Sequence, residues 1–554
     1  MPPRIHPLVS LCAAAALAVG ISVPPAPASA DDAGKGGAPP EPTAAEVEGF
    51  LDERVPELLE KNGIPGAAVS VVDDGRQVHA GGYGSADASQ DTPIDPAETS
   101  FPMASVSKSF VAAAVMQLAE EGEVELETDA NEYLPRSARL PDTYPGEPVT
   151  LHHLLTHTAG FEDSVVGMAT DSADTMLPLR DYVSTYRPER IYPPGRFIGY
   201  SNYGTSLAGL IVQEVSGVPY EDYLDENVFG PLGMEHSGFM NPEQAAERFT
   251  VPTLHGATPG TVSEPLFVNQ GPAGAGYASA GDMSNFMLAM LDGGAYDGTR
   301  VLSADSVQAM LSKQESLHPG LMGAGYGTWE KFREGPRTVG HGGDLHGAHT
   351  EWAVVPDLGF GVYVAVNGDG TSENPLDDGR AQILDAVLDE FAGPGSTASG
   401  DGSGGGTGQP GHGADGSLER YAGTYISTRT SKNDASAAMV AMDQASVSVT
   451  DDGKLRTTNR YLGETEWAPA QPGLFVSDEG RHLAFKAADG EVLGLAFDSL
   501  AHQAYEKVAW HEAPSLHFGA AGAALLVAFS LLAWPVIALV RRIRGTAERR
   551  SAGA

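Results

Sequence analysis

Ser105-Val106-Ser107-Lys108 stands at the head of an apolar, alanine-rich run, Ser109-Phe110-Val111-Ala112-Ala113-Ala114-Val115-Met116. The run reads as a helix, and a serine and a lysine three positions apart fall on one helix face. A helix start also presents backbone N–H groups that no earlier carbonyl can accept from. One short segment therefore supplies a nucleophile, a base and part of an anion site. The same tetrad fits an ordinary solvated helix start, so its meaning depends on what the rest of the chain places beside it.

Working outward, residues 44–62 carry Val47, Phe50, Leu51, Val55, Leu58 and Leu59 on one stripe, and Gly63 stops the helix they predict. Residues 67–72 read as a buried strand, turned at Asp74-Gly75 into a second strand at 76–80. The same grammar returns beyond the tetrad: strand 350–355, turn 356–359, strand 360–367, then a helix over 375–391. Hairpins at both ends of one region predict a single antiparallel sheet built from both, with the helical middle packed on it. The fold class is therefore α+β.

The chain has 554 residues, enough for more than one domain, and a formal net charge of −40. That balance excludes a nucleic-acid partner, because neutralising phosphates needs clustered Lys and Arg. Residues 1–30 read as a cleaved signal peptide: Arg4 and His6, an apolar stretch at 8–21, then Ala28-Ser29-Ala30 before Asp31. The single cysteine, Cys12, lies inside it, so the mature chain has no disulfide, thiol or cysteine-based metal chemistry. Residues 31–43 read as a flexible leader, 44–391 as the main body and 392–417 as a Gly/Ser-rich linker.

Over 418–510, short alternating segments are punctuated by Asp452-Gly453, Glu479-Gly480 and Asp489-Gly490. This predicts about eight strands, and a small barrel removes their edges. Residues 518–540 hold no charge, and at about 1.5 Å per residue they reach across a bilayer core of about 30 Å. Arg541, Arg542, Arg544, Arg549 and Arg550 follow, which assigns the 541–554 tail to the cytoplasm. The expectation is an external body tethered by one C-terminal helix.

Two further clusters complete the constellation. Tyr200-Ser201-Asn202 lies in a loop-like stretch after Pro193-Pro194-Gly195, and His341-Gly342-Gly343 begins at the edge of a strand region. The order Ser-x-x-Lys, Tyr-x-Asn, His-x-Gly resembles the serine β-lactamase and penicillin-recognising family, in its class C β-lactamase, D-Ala-D-Ala carboxypeptidase and esterase branch. Leu154-Leu155-Thr156-His157-Thr158-Ala159-Gly160-Phe161 and Pro231-Leu232-Gly233-Met234 extend the resemblance, which covers about 44–391. Tyr421-Ala422-Gly423-Thr424-Tyr425 resembles the start of a lipocalin-like module. The resemblance implies helices on both faces of the sheet, an all-α subdomain and no cofactor.

A serine hydroxyl is a poor nucleophile until a neighbouring base takes its proton. Lys108 can act only when partly neutral, which burial and nearby positive charge favour. Tyr200 is the second base, and the residues leave both open. Asn202 offers an amide to a substrate carbonyl or amide. The backbone N–H of Ser105 forms half of an oxyanion hole, and the resemblance gives the other half to Asp344. His341 and Gly343 are the remaining substrate-binding candidates, Gly343 through close approach of a strand. His157 reads as structural, and His152 and His153 as packing or surface residues. His341, His346 and His349 lack the carboxylates that would make a metal site.

The chain departs from many relatives by carrying His341 where they carry lysine. A histidine near pH 7 is mostly neutral, so it holds a substrate carboxylate less firmly. Asp344 either charges that histidine, repels an anion or points away. The resulting expectation is a membrane-anchored extracellular serine hydrolase working through an acyl-enzyme on cell-wall peptides, as a D-Ala-D-Ala carboxypeptidase does. The alternatives are an esterase or amidase on small acyl substrates, a β-lactamase, and a non-catalytic penicillin- or wall-binding receptor. The barrel is expected to space the body from the membrane.

Overall fold

Thr43 opens the first helix, α1 (Ala44–Asn62), through a reciprocal capping box with Glu46, and Gly63 closes it at φ 65°. The computed structural model describes residues 42–551 apart from 88–91, 259, 334, 373–377, 394–417, 434–436 and 438–442. The expected signal peptide, nearly all of the 31–43 leader and nearly all of the 392–417 linker lie outside the described residues, as does the start of the helix read at 375.

The central sheet has seven strands. They are β1 (Gly66–Asp73), β2 (Arg76–Asp87), β3 (Thr92–Pro93), β4 (Trp329–Lys331), β5 (Thr338–Leu345), β6 (Ala348–Val355) and β7 (Phe360–Val366). Their order is β4-β5-β6-β7-β1-β2-β3, and the pairings are antiparallel. The join lies between β1 and β7, where Ala67 faces Val366. Segments three hundred residues apart thus make one sheet, as the two hairpins predicted.

Period-2 alternation splits the sheet into two buried faces. Val69, Val362 and Val364 pack under α1 and under α5 (Gly379–Phe391). Ala68, Trp352 and Tyr363 face the helical middle. That mass contains α2 (Ser107–Glu120), α3 (Asn202–Ser216) and α4 (Ala280–Leu291), and Phe110 packs 4.5 Å from Phe286. β2 runs seven residues past the predicted end at 80. Gly82 in that extension is there for proximity, because a Cβ on it would sit 1.9 Å from the Ile94 carbonyl.

The second body is a closed eight-stranded barrel, Gly423–Ser427 through Tyr505–Val508, filled by Tyr425, Trp467, Leu483 and Tyr505. It packs on the main body. Leu474, Ala484 and Ala504 of the barrel share an apolar cluster with Tyr192, Phe197 and Leu321 of the main body. A last helix, α6 (Pro514–Ser551), contains an apolar span at Leu516–Arg544, whose most apolar 18 residues have a mean hydropathy of 2.5. Its length and composition suit a membrane crossing.

Candidate active site

Strain marks the entry to the site. Ala104 has φ 48°, which a side-chain-bearing residue adopts only when its surroundings enforce it. Ser105 follows in a short 3-10 turn, Ala104–Val106, that runs directly into α2. Two neighbouring serines anchor this corner. Ser107 Oγ accepts from the Gly276 N–H at 3.1 Å, and Ser109 Oγ donates to the Gly327 carbonyl at 2.8 Å.

Lys108 is 1% exposed. Its Nζ lies 3.0 Å from Ser105 Oγ and donates to the Ala273 carbonyl at 2.7 Å. Burial pushes its pKa well below the usual lysine value, the Arg429 charge adds to this, and Asp163 opposes it. The Tyr200 ring centroid is 4.8 Å from the same Nζ, and its hydroxyl is hydrogen-bonded to Ser105. Burial raises the Tyr200 pKa above the free phenol value, outweighing that hydrogen bond and the Arg429 charge.

Tyr200 is held from both ends. The loop reading holds for Tyr200 and Ser201 and is corrected at Asn202: Ser201 is the N-cap of α3, its Oγ accepting from Gly204 N–H at 3.0 Å, and Asn202 is the first helical residue. His157, at φ 58°, accepts the Ser201 N–H at Nδ1 over 3.1 Å. Its ring stacks on Tyr200 at 4.5 Å and on Trp329 at 5.4 Å. Burial, reinforced by Lys108, depresses its pKa, so it stays neutral and serves as an acceptor and a spacer.

β5 forms the opposite wall. It pairs with β4 only through Thr338–Gly340, so the edge from His341 to Leu345 is left open by the sheet. A Cβ on Gly343 would sit 2.2 Å from the Met103 carbonyl and 2.9 Å from Ser105 N. Only glycine lets this strand approach the Ser105 amide so closely. His341 Nδ1 lies 2.6 Å from the Gly342 carbonyl, which can only accept, so that nitrogen carries the proton. Its Nε2 is buried without a hydrogen-bond partner among the described residues. Burial and then Lys108 push the His341 pKa down to about 3, so Asp344 does not charge it.

Asp344 points away from His341. Its carboxylate takes Arg380 Nη1 at 2.9 Å and His349 Nδ1 at 2.7 Å, and these partners hold its pKa well below the usual carboxylate range despite opposing burial. Asp344, His349 and Asp378 have ligand atoms within 4.8 Å of one another. The Arg380 guanidinium already bonds Asp344 at 2.9 Å and Asp378 at 2.8 Å, so the cluster has its cation. His346 lies in the exposed turn after β5, and His152 and His153 sit at the helix Leu151–Leu155, where His153 completes a capping box with Thr150.

The structure thus brings Ser105, Lys108, Tyr200, His341 and Gly343 together, with Asn202 and Asp344 on the wall of the same cleft of roughly 900 Å³. Other residues of that wall carry no motif. Trp329 comes from β4, and Arg429, Tyr461 and His502 come from the barrel. The barrel is tied to the Tyr200 segment by backbone: the Tyr200 N–H donates to the His502 carbonyl at 3.3 Å, and the Ala504 N–H to the Ile198 carbonyl at 3.1 Å. Arg429 lies 4.9 Å from the Tyr200 ring centroid, and its Nε donates to Asp163 at 2.7 Å. The only sequence signal was a polar break, Thr428-Arg429-Thr430-Ser431-Lys432, ending the first barrel strand.

A family model for Beta-lactamase matches residues 51–386, more than half of the chain. The chain belongs to the β-lactamase family. Penicillin-binding protein 4 of Amycolatopsis lactamdurans is 31% identical over 327 residues, covering 57% of this chain and 84% of that protein. Protein flp of Staphylococcus aureus (strain N315) is 28% identical over 220 residues, 39% of this chain and 43% of its own length, so the chain spans under half of that relative. Among solved structures, SurE with D-Leu aligns with a TM-score of 0.57 at 22% identity, over 84% of this chain and 99% of that one. The octameric penicillin-binding protein homologue from Pyrococcus abyssi gives 0.52 at 22% identity, over 83% and 99%. These two likenesses bear on fold, and their coverage is too large for the β-lactamase-like body alone. The protein is a penicillin-binding-protein-like member of a serine hydrolase family.

Proposed function

We propose that this protein is an extracellular, membrane-tethered acyl hydrolase of D-Ala-D-Ala carboxypeptidase type, acting through an acyl-enzyme on Ser105. The single observation that carries this reading is the buried Lys108 Nζ at 3.0 Å from Ser105 Oγ, with no carboxylate bonded to it among the described residues. An ammonium there lacks a counter-ion, so the neutral amine is favoured, and its lone pair takes the Ser105 proton as Oγ attacks the carbonyl.

Tyr200 keeps its proton because burial raises its pKa, and it delivers that proton to the leaving group. The N–H groups of Ser105 and Asp344 receive the developing oxyanion, with Gly343 permitting the approach. Asn202 and the unpartnered Nε2 of His341 contact the acyl side of the substrate. Water then releases the acyl group by the same groups in reverse. Support for wall-peptide or β-lactam substrates comes from the relatives' names, and support for tethering from α6 with Arg541, Arg542 and Arg544 at its end. The esterase alternative keeps a specific observation in its favour, since His341 is neutral where a fixed cation would hold a carboxylate.

Intact-mass spectrometry of the full chain in detergent, exposed to benzylpenicillin, tests the reading. A stable adduct that is absent from Ser105→Ala is the expected result. No adduct, with Ser105-dependent hydrolysis of a short aryl ester, overturns the peptidase reading in favour of the esterase.

A further inference from the structure

The third motif of this chain supplies no positive charge. His341 is buried, its Nδ1 proton is committed to the Gly342 carbonyl, and its Nε2 can only accept. Lys108 lies beneath Ser105 and is engaged there. The cleft nevertheless contains other cations. Lys331 is matched by Glu351 at 3.1 Å and Asp385 at 3.4 Å. Arg380 is matched by Asp344, Asp378 and Glu351, and Arg481 is bound to Glu479.

Arg429 differs from Lys331 and Arg380 in meeting one carboxylate among the described residues, and from Arg481, which also meets one, in standing against the Tyr200 ring. Its side chain is 38% exposed and lines the cleft, and Asp163 meets it through Nε alone. A guanidinium has five N–H donors in a planar fork. With Nε committed, the terminal Nη edge has no hydrogen-bond partner among the described residues, and Asp163 fixes the direction of the plane. The guanidinium carbon is 4.9 Å from the Tyr200 ring centroid, beside the phenol that meets the leaving group. Backbone bonds from Tyr200 to His502 and from Ala504 to Ile198 hold the barrel against this segment.

We propose that Arg429, lent by the barrel, is the carboxylate-binding residue of the active site, selecting acyl substrates whose leaving group carries a carboxylate. The charge that relatives place on the third motif has moved here to a different domain. This rests on the acyl-transfer reading of the site, with Tyr200 on the leaving-group side. A carboxylate bound edge-on by a guanidinium forms two parallel charge-assisted hydrogen bonds, which a histidine acceptor cannot offer.

The test compares 3-carboxyphenyl acetate with phenyl acetate on the full chain in detergent, each rate divided by its spontaneous hydrolysis. The wild type is expected to favour the carboxylated ester by about tenfold or more in kcat/KM. Arg429→Gln is expected to bring that ratio close to one, and Arg429→Lys, which keeps the charge, to preserve a substantial part of it. A wild-type ratio near one overturns the proposal. So does a fall of both esters in parallel in Arg429→Gln, because a brace between domains lowers both rates equally. The ester pair does not depend on peptide turnover. A chain that ignores benzylpenicillin and D-Ala-D-Ala peptides but shows the Arg429-dependent ratio loses the peptidase reading and keeps this one.

Discussion

Two buried cations flank the same stretch of β5 and are treated in opposite ways. Arg380 donates to the Gly343 carbonyl at 3.2 Å and is surrounded by Asp344, Asp378 and Glu351. Lys108 reaches Ser105, whose amide lies against Gly343, and its other bond goes to the neutral Ala273 carbonyl. Burial opposes the charge at both sites. At Arg380 three carboxylates overcome it and raise the pKa, while at Lys108 nothing comparable does and the pKa falls. Burial with counter-ions makes a brace, and burial without them makes a base.

The sharpest way to break this contrast is Lys108→Arg, which keeps the charge and abolishes the proton transfer. The expected loss in kcat is on the order of 10³-fold, measured with an aryl ester. Near-wild-type turnover would show that charge alone is required at this position. The kcat/KM of the wild type should also rise with pH as the lysine deprotonates, at a pKa well below the usual lysine value.

Arg380→Met attacks the other cation. Removing one partner from a buried ionic network costs about 3–5 kcal/mol, which urea denaturation of the full chain would read. Lys108→Met is expected to leave the fold as stable or more stable, because an uncompensated buried ammonium is removed. Its sign with pH follows from the depressed folded pKa. The penalty of burying Lys108 is full at low pH and fades as pH rises towards about 10.4, so the gain from the substitution shrinks over the same window. Equal losses in the two methionine variants would erase the distinction.

Between the two cations, Gly343→Ala tests the strand they share. Its Cβ would collide with the Met103 carbonyl and the Ser105 amide, so β5 must retreat from the nucleophile. The expected loss is on the order of 10²-fold in kcat with the fold retained, as for a displaced oxyanion donor. The smallest effect is Asp344→Asn. The Asp344 pKa is depressed in the fold, so its stabilisation is present above about pH 4 and is lost as pH falls towards the folded value. The variant should therefore be less stable than wild type at neutral pH, with the gap closing on acidification.

Legibility in the sequence followed the range of the interaction. The α1 stripe and the hairpins at 67–80 and 350–367 were readable because amphipathic period and turn chemistry are local. Lys108 beside Ser105 was readable for the same reason, since three residues on a helix fix the distance. The helix start at Asn202 was missed because Tyr200-Ser201-Asn202 carries turn-like residues, and its cap is visible only once Gly204 N–H meets Ser201 Oγ. The direction of Asp344 was undecidable because Arg380 and Asp378 lie a strand and a helix away.

By itself, then, the sequence determined the elements, the order of the motifs and the kind of chemistry their side chains can perform. Helix and strand periods, caps and turns are written within a few residues of one another. Tertiary structure alone decided which cation has counter-ions, which histidine is neutral and which domain walls the cleft. Those properties depend on burial and on charges brought together from distant parts of the chain. The place of Arg429 beside Tyr200, in a barrel that begins about two hundred residues later, is the clearest case.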